Sequence, residues 1–202
     1  MFVGHLDGQE TLDDLGPEFV NAVIEAVDGA REDWRDFQSL HADWLPTLTH
    51  RTVAGLTHDR IWDHLCRTLE QIPGITILDK EPIHEIHVGI RYVLRVKRHH
   101  LGDRISTYPT DAAREFWTNA AETLEGLEFY TLAIGYIWDR DSMTIQEAVL
   151  SCRDGIDQPI WAMTLHPDTG SVTGFRWDLV DPMLPDLDLS GIEVGRATRD
   201  GS

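Results

Sequence analysis

The hydrophobic period of this chain changes at Pro73-Gly74, from three-and-four spacing before it to alternation after it. That switch restricts the fold to helices first and a sheet second. Between Pro17 and Trp44 the apolar residues Phe19, Val20, Val23, Ile24, Val27, Ala30, Trp34, Phe37 and Leu40 share one helical face, with Asp and Glu opposite. Pro17 suits a first helical turn and Pro46 ends the segment. Gly29 costs a helix interior about 1 kcal/mol relative to Ala and marks the expected bend. A second helix is predicted from Thr57 as N-cap, with Asp59 in its first turn and a stripe of Ile61, Trp62, Leu65 and Leu69. Residues 1–16, polar and glycine-containing, read as a flexible arm.

After residue 75 the runs are strand-like: Ile75–Leu78, Ile83–Val88, Ile90–Arg98, Leu127–Trp138, Met143–Cys152, Ile160–Leu165 and Ser171–Leu179. Asp139-Arg140-Asp141-Ser142 is a polar hairpin turn, and Thr110 caps a helix that contains Phe116 and Trp117. The expected class is α+β: N-terminal helices, then a mainly antiparallel β-sheet with a helix packed on one face. A single domain covers 17–180, helical over 17–74 and sheet-forming over 75–180, and 181–202 is expected to be extended or disordered. Neither a glycine-rich phosphate loop nor a βαβ alternation is present, which counts against a doubly wound nucleotide-binding fold.

Net charge is −18 over 202 residues, so where the few cations collect is informative. Arg91, Arg95, Lys97, Arg98 and Arg104 fall within fourteen positions whose only acid is Asp103, against 12 Lys/Arg and 34 Asp/Glu in the rest of the chain. Alternation puts Tyr92, Leu94 and Val96 on one face of that strand and Arg91, Arg95 and Lys97 on the other. The five cations form the expected anion- or partner-binding site, with His99 and His100 adding charge as pH falls toward about 6.5. Trp44, Trp117 and Trp138, near element ends, are candidate interface anchors. The amino terminus has no apolar secretion signal, no run reaches the length of a membrane span, and Cys66 and Cys152 are too far apart in sequence to imply a bridged framework. A cytoplasmic protein with no membrane partner is expected.

Three chemical readings compete with binding. Asp59 and Asp63, one helical turn apart beside His58 and His64, share a face that can chelate a divalent ion, but no third ligand is in register. Asp79, Glu81 and Glu85 precede Lys97 as in metal-dependent nucleases of the restriction type, except that Arg95 stands where the second acid belongs. Ser142 and Ser151 lack the glycine-flanked elbow of a hydrolase nucleophile. No metal or cofactor is therefore expected.

The runs Leu94–Arg98, Arg104-Ile105-Ser106-Thr107-Tyr108-Pro109-Thr110 and Ala133-Ile134-Gly135-Tyr136-Ile137-Trp138-Asp139, followed by a strand with Trp161, occur in that order. Over roughly residues 75–165 this resembles a little-characterised bacterial family, often actinobacterial. Its genes sit beside helix-turn-helix regulators fused to, or paired with, zinc-peptidase-like domains. The family pattern has an aromatic residue between the Arg and Lys, where this chain has Val96. The resemblance implies a toxin–antitoxin or phage-immunity module and a cognate regulator or antitoxin-like protein as partner. It carries over no catalytic residue. Nucleic acid bound through the basic patch, a homodimer, a metal-dependent nuclease and a structural dimerisation domain remain the alternatives.

Overall fold

The computed structural model describes residues 6–80, 83–100, 104–118, 129–157, 159–168 and 175–180. Two helices, α1 (Gly8–Leu40) and α2 (His50–Leu69), lead into strands β1 (Ile75–Lys80), β2 (Ile83–Val88) and β3 (Tyr92–His99). A short helix, α3 (Asp111–Phe116), precedes β4 (Tyr130–Asp139), β5 (Thr144–Arg153), β6 (Pro159–Pro167) and β7 (Phe175–Leu179). The expected α+β class is what the chain adopts. The proposed tail, 181–202, lies outside the described residues.

The first correction concerns the amino-terminal arm, because residues 8–15 are helical. Asp7 caps them, its carboxylate accepting the Glu10 N–H at 3.0 Å. Thr11, Leu12 and Leu15 are buried there, a stripe that the polar, glycine-containing composition concealed. The break in α1 falls at Gly16, whose φ of 78° only glycine adopts readily, just ahead of Pro17. Gly29 marks no bend; a Cβ there would stand 2.6 Å from the His64 ring, so it lets α2 approach closely. The second helix starts at His50 rather than Thr57, with Thr49 accepting the Thr52 N–H at 3.1 Å. Thr57 instead sits mid-helix and returns its hydroxyl to the Val53 carbonyl at 2.9 Å. Thr110 does cap α3, accepting the Ala113 N–H at 3.1 Å, while Trp117 lies just past its end.

The seven strands pair in sequence order, β1 to β7, forming one sheet. Every neighbouring pair is antiparallel except β3 and β4, which run parallel from Tyr92↔Tyr130 to His99↔Ile137. A parallel pair needs a long crossover, and the segment carrying α3 supplies it. Tyr92, Leu94, Leu132, Ile134, Leu150 and Met163 point toward α1 and α2 and join their stripes in the main core. Ala133, one residue out of phase with Leu132 and Ile134, packs with Trp117 and Ile105 in a second cluster. The crossover therefore covers the opposite face of the sheet.

Polar anchors fix α1 on the sheet. The Trp34 indole donates to the Met143 carbonyl at 2.7 Å, and Arg31 spans the Ile145 and Gln146 carbonyls at 3.0 and 2.5 Å. Those carbonyls lie where the β4–β5 register shifts between Tyr136 and Trp138, so Arg31 satisfies groups that the ladder leaves over.

Candidate functional site

The cationic strand does not present a single charged face. Arg91, at the start of β3, forms an ion pair with Asp14 of α1 and lies 3.7 Å from Glu10. Asp14 also accepts the Tyr92 hydroxyl at 2.7 Å, and burial together with that carboxylate raises the Tyr92 pKa. Arg95, on the crossover side, gives Nε and Nη2 to one oxygen of Glu85 at 3.0 and 2.5 Å. Its guanidinium stacks 3.5 Å over Phe116. Burial opposes ionisation of Glu85, yet the hydrogen bonds from Arg95 and His87 hold its pKa below the usual carboxylate value. Arg104 is exposed and faces Asp157 at 3.8 Å.

Two of the five cations, Lys97 and Arg98, form no ion pair with the described residues, and alternation sends them to opposite faces. Lys97 stands 5.9 Å from the Trp117 ring, and burial, then Arg95, lowers its pKa. Arg98 is on the helix side, its Nε donating to the Tyr136 hydroxyl at 3.0 Å and its guanidinium 4.5 Å over Trp138. The expected common face of Arg91, Arg95 and Lys97 is thus corrected. Arg91 and Arg95 are neutralised by acids on α1 and β2, within reach of a strand in the middle of a sheet, while Arg104 stays at the surface facing Asp157.

Positive charge gathers instead where β3 and β4 end. Arg98, Arg104 and Arg140 are all close enough to His100 to lower its pKa, after burial, and His100 bonds Ser106 across 2.8 Å. Arg140, in the β4–β5 turn, reaches His50 at 3.4 Å, and His50 and Arg51 open α2, whose first turn holds no acid. Neither Arg98 nor Arg140 has a carboxylate partner among the described residues. Asp139 and Asp141 are in the same turn, but Asp139 accepts the backbone N–H groups of Asp141 and Ser142, at 2.9 and 3.3 Å. The Ser142 hydroxyl, then those backbone bonds, lower the Asp139 pKa.

An aromatic chain connects the core to this end. Trp138 meets Trp34 at 6.0 Å, Trp34 stacks on Phe37 at 5.6 Å, and Phe37 meets Trp44 edge-on at 6.5 Å. Trp44 is 52% exposed and stacks on His41 at 4.5 Å, with Leu40 exposed beside it. Of the three expected anchors, Trp117 and Trp138 are buried and Trp44 alone reaches the surface.

The competing chemistries lose their residues to pairing. Asp63 is taken by Arg60 at 3.1 Å and by Arg67, while Asp33 accepts from Arg60 at 2.7 Å and meets the His64 ring at 2.8 Å. Asp59 faces His58. Among the described residues no group of three or more His, Cys, Asp or Glu is placed to hold a metal ion. Of the nuclease residues, Asp79 pairs with His84 at 3.3 Å, Glu85 is held by Arg95, and Glu81 lies outside the described residues. His99 and Ser151 make a nucleophile-and-base geometry at 3.0 Å, but both are buried within the sheet. Burial, with the charge of Arg153, pushes His99 down to about 3, far too low for a general base near neutral pH. A cleft of about 430 Å³ between α1 and the β5–β6 strands mixes Arg31 and Arg35 with Asp28 and Glu147, and Arg31 there serves the sheet.

What the fold and site define is a helix-backed, open seven-stranded sheet with one cationic, aromatic end. The chain matches no protein family, no curated protein and no solved structure. No described helix is long and apolar enough to cross a membrane. His50 and Arg140 escaped the sequence reading because one opens a helix placed too late and the other stands between two aspartates. The hairpin turn itself was the available signal for Arg140.

Proposed function

We propose that this protein is the binding component of a two-part module of the toxin–antitoxin or phage-immunity kind. It engages its partner through the end of the sheet formed by Arg98, His100, Arg104, Arg140 and His50, with Trp44 and Leu40 as apolar contacts. One observation carries this reading. Acids outnumber basic residues 35 to 17, yet Arg98 and Arg140 lie at the C-terminal ends of the neighbouring parallel strands β3 and β4, each without an ion-paired carboxylate among the described residues. Such groups repel one another and are stabilised by an anion brought from outside. The toxin–antitoxin setting comes from the resemblance of residues 75–165, and the order of its short motifs supports it.

Co-expression with the product of the adjacent gene, followed by affinity purification of the tagged chain, tests the proposal. A complex is expected with the parent protein, and Arg104→Glu with Arg140→Glu should abolish it while the circular dichroism spectrum stays unchanged. Both side chains are exposed, so their reversal spares the core. A complex that survives the double reversal removes the cationic end from the function.

A further inference from the structure

We infer that the cationic end takes up a single strand of nucleic acid, with phosphates against Arg98, Arg104 and Arg140 and an unstacked base against Trp44. This deepens the proposed binding role and rests on that end being the contact surface; a protein partner seated there would cover the same groups.

Four features lead to this ligand. Arg98 lies flat over Trp138 and spends Nε on Tyr136, while Nη2 is 3.4 Å from Thr57, a long contact that leaves guanidinium N–H groups for an anion. Arg140 Nη2 donates to the His50 ring Nε2 at 3.4 Å, which holds its guanidinium at the start of α2 and leaves its other N–H groups without an ion-paired acid among the described residues. The N-terminal turn of α2, lacking acids and carrying His50 and Arg51, adds a positive potential to the same corner. Trp44, half exposed and already stacked on His41, offers an aromatic surface for a base. Interleaved cations and exposed aromatic rings are the elements of sequence-tolerant single-strand binding.

The charge of −18 does not forbid this. At physiological salt, charges beyond about 8 Å are largely screened, so a bound phosphate responds to the local cluster. Among the described residues the local acids are Asp139, which holds its own turn, Asp141 beside it at the surface, and Asp157, which faces Arg104. An extended duplex would lie along more of the acidic surface, and its bases are unavailable to Trp44. That difference predicts a preference for the single strand.

The test is fluorescence anisotropy of a labelled oligo(dT) of about 15 nucleotides, long enough to span such a site, with the full chain. Binding is expected near 50 mM salt, with log K falling against log salt at a slope of about −2 for three phosphates. Arg140→Glu should weaken binding about tenfold and make the slope shallower by about one phosphate equivalent. Trp44→Ala should weaken it about five- to a hundredfold with the slope unchanged, because it removes a stack and no charge. Absence of binding at about 50 mM salt, parental affinity retained in both variants, or tighter binding to a duplex of the same length overturns the inference. The two proposals fail separately: a co-purifying protein lost on charge reversal, with no oligonucleotide binding, leaves the module standing and removes the nucleic acid. Oligonucleotide binding without any partner complex does the reverse.

Discussion

Arg95 aims Nε and Nη2 at a single oxygen of Glu85, at 3.0 and 2.5 Å, and rests its guanidinium 3.5 Å above the Phe116 ring. The most central cation of the basic strand is thereby committed to holding β3, β2 and α3 together. Only cations at the strand's C-terminal end are left for a ligand.

Replacing Arg95 with Ala should cost about 2 kcal/mol, since it strands the mostly buried Glu85 carboxylate and removes the cover over Phe116. The cost depends on pH. The folded pKa of Glu85 lies below its unfolded value of 4.5, so the pair's contribution is fully present above that value. It disappears as pH falls through the lower, folded one. Urea unfolding of parent and variant should differ most at pH 7, and the difference should shrink as pH falls below 4.5 toward the part owed to the lost Phe116 cover. A constant difference across that range would show that Glu85 is not the partner that matters.

His99 gives the second pH effect, acting from higher pH. Burial, then the charge of Arg153, holds it neutral with a pKa of about 3, against the ordinary histidine value of 6.5. The unfolded chain therefore binds the extra proton between those values. Stability is greatest above pH 6.5 and falls by about 1.4 kcal/mol per pH unit beneath it until the folded pKa is reached. His58 and His100, also lowered, act in the same direction, so the measurement is the difference between parent and His99→Gln. Glutamine can keep a bond to Ser151 and cannot titrate. Its unfolding free energy should lose about one proton's worth of pH dependence between pH 6 and 4; parallel curves would remove His99 as the cause.

The periodicity of α1 and α2, the strand runs and the Thr110 cap were legible because each follows from local spacing of apolar residues or from one side-chain hydrogen bond. The start of α1 was not, since Leu6, Leu12 and Leu15 bury themselves only once β6 is in place, with the Trp161 indole on the Leu6 carbonyl at 2.7 Å. The site failed for a related reason. Alternation separated Leu94 and Val96 from Arg95 and Lys97, but Arg91, ahead of β3, turns to α1, and whether a cation stays free depends on what lies across the strand. Glu85 opposite Arg95 and Asp14 under Arg91 are tertiary facts. The gathering of His50, His100 and Arg140 joins three distant segments, and no window of sequence contains it.

Thiol reactivity checks the burial assigned to the two cysteines. Cys152 points into the core from β5, and burial pushes its pKa up to about 12; Cys66, half-buried on α2, is raised by burial and then by Asp79 and Asp63. Since the thiolate is the reactive species, Cys152 should resist a disulfide reagent near neutral pH and Cys66 should react slowly. Titration of the native protein is expected to count at most one thiol, and titration in guanidinium both. Two fast thiols in the native state would contradict the packing of β5 against α1.

Gly135 pairs with Lys97 where the sheet has no room for a side chain. A Cβ on it would stand 1.9 Å from the Lys97 carbonyl oxygen, in the middle of the parallel β3–β4 pairing. The obstructing atom is backbone, so no side chain can swing aside to relieve the clash. Gly135→Ala should therefore force β3 and β4 apart and destabilise by about 3 kcal/mol, the upper range for overpacking. It also displaces Arg98 and Tyr136 from their 3.0 Å contact, because both are the next residues along their strands. The measurements are the urea midpoint and, for folded variant, oligonucleotide affinity. A lowered midpoint with weakened binding is the expected pair, and an unchanged midpoint would mean that the strands are spaced more widely than the structure has them.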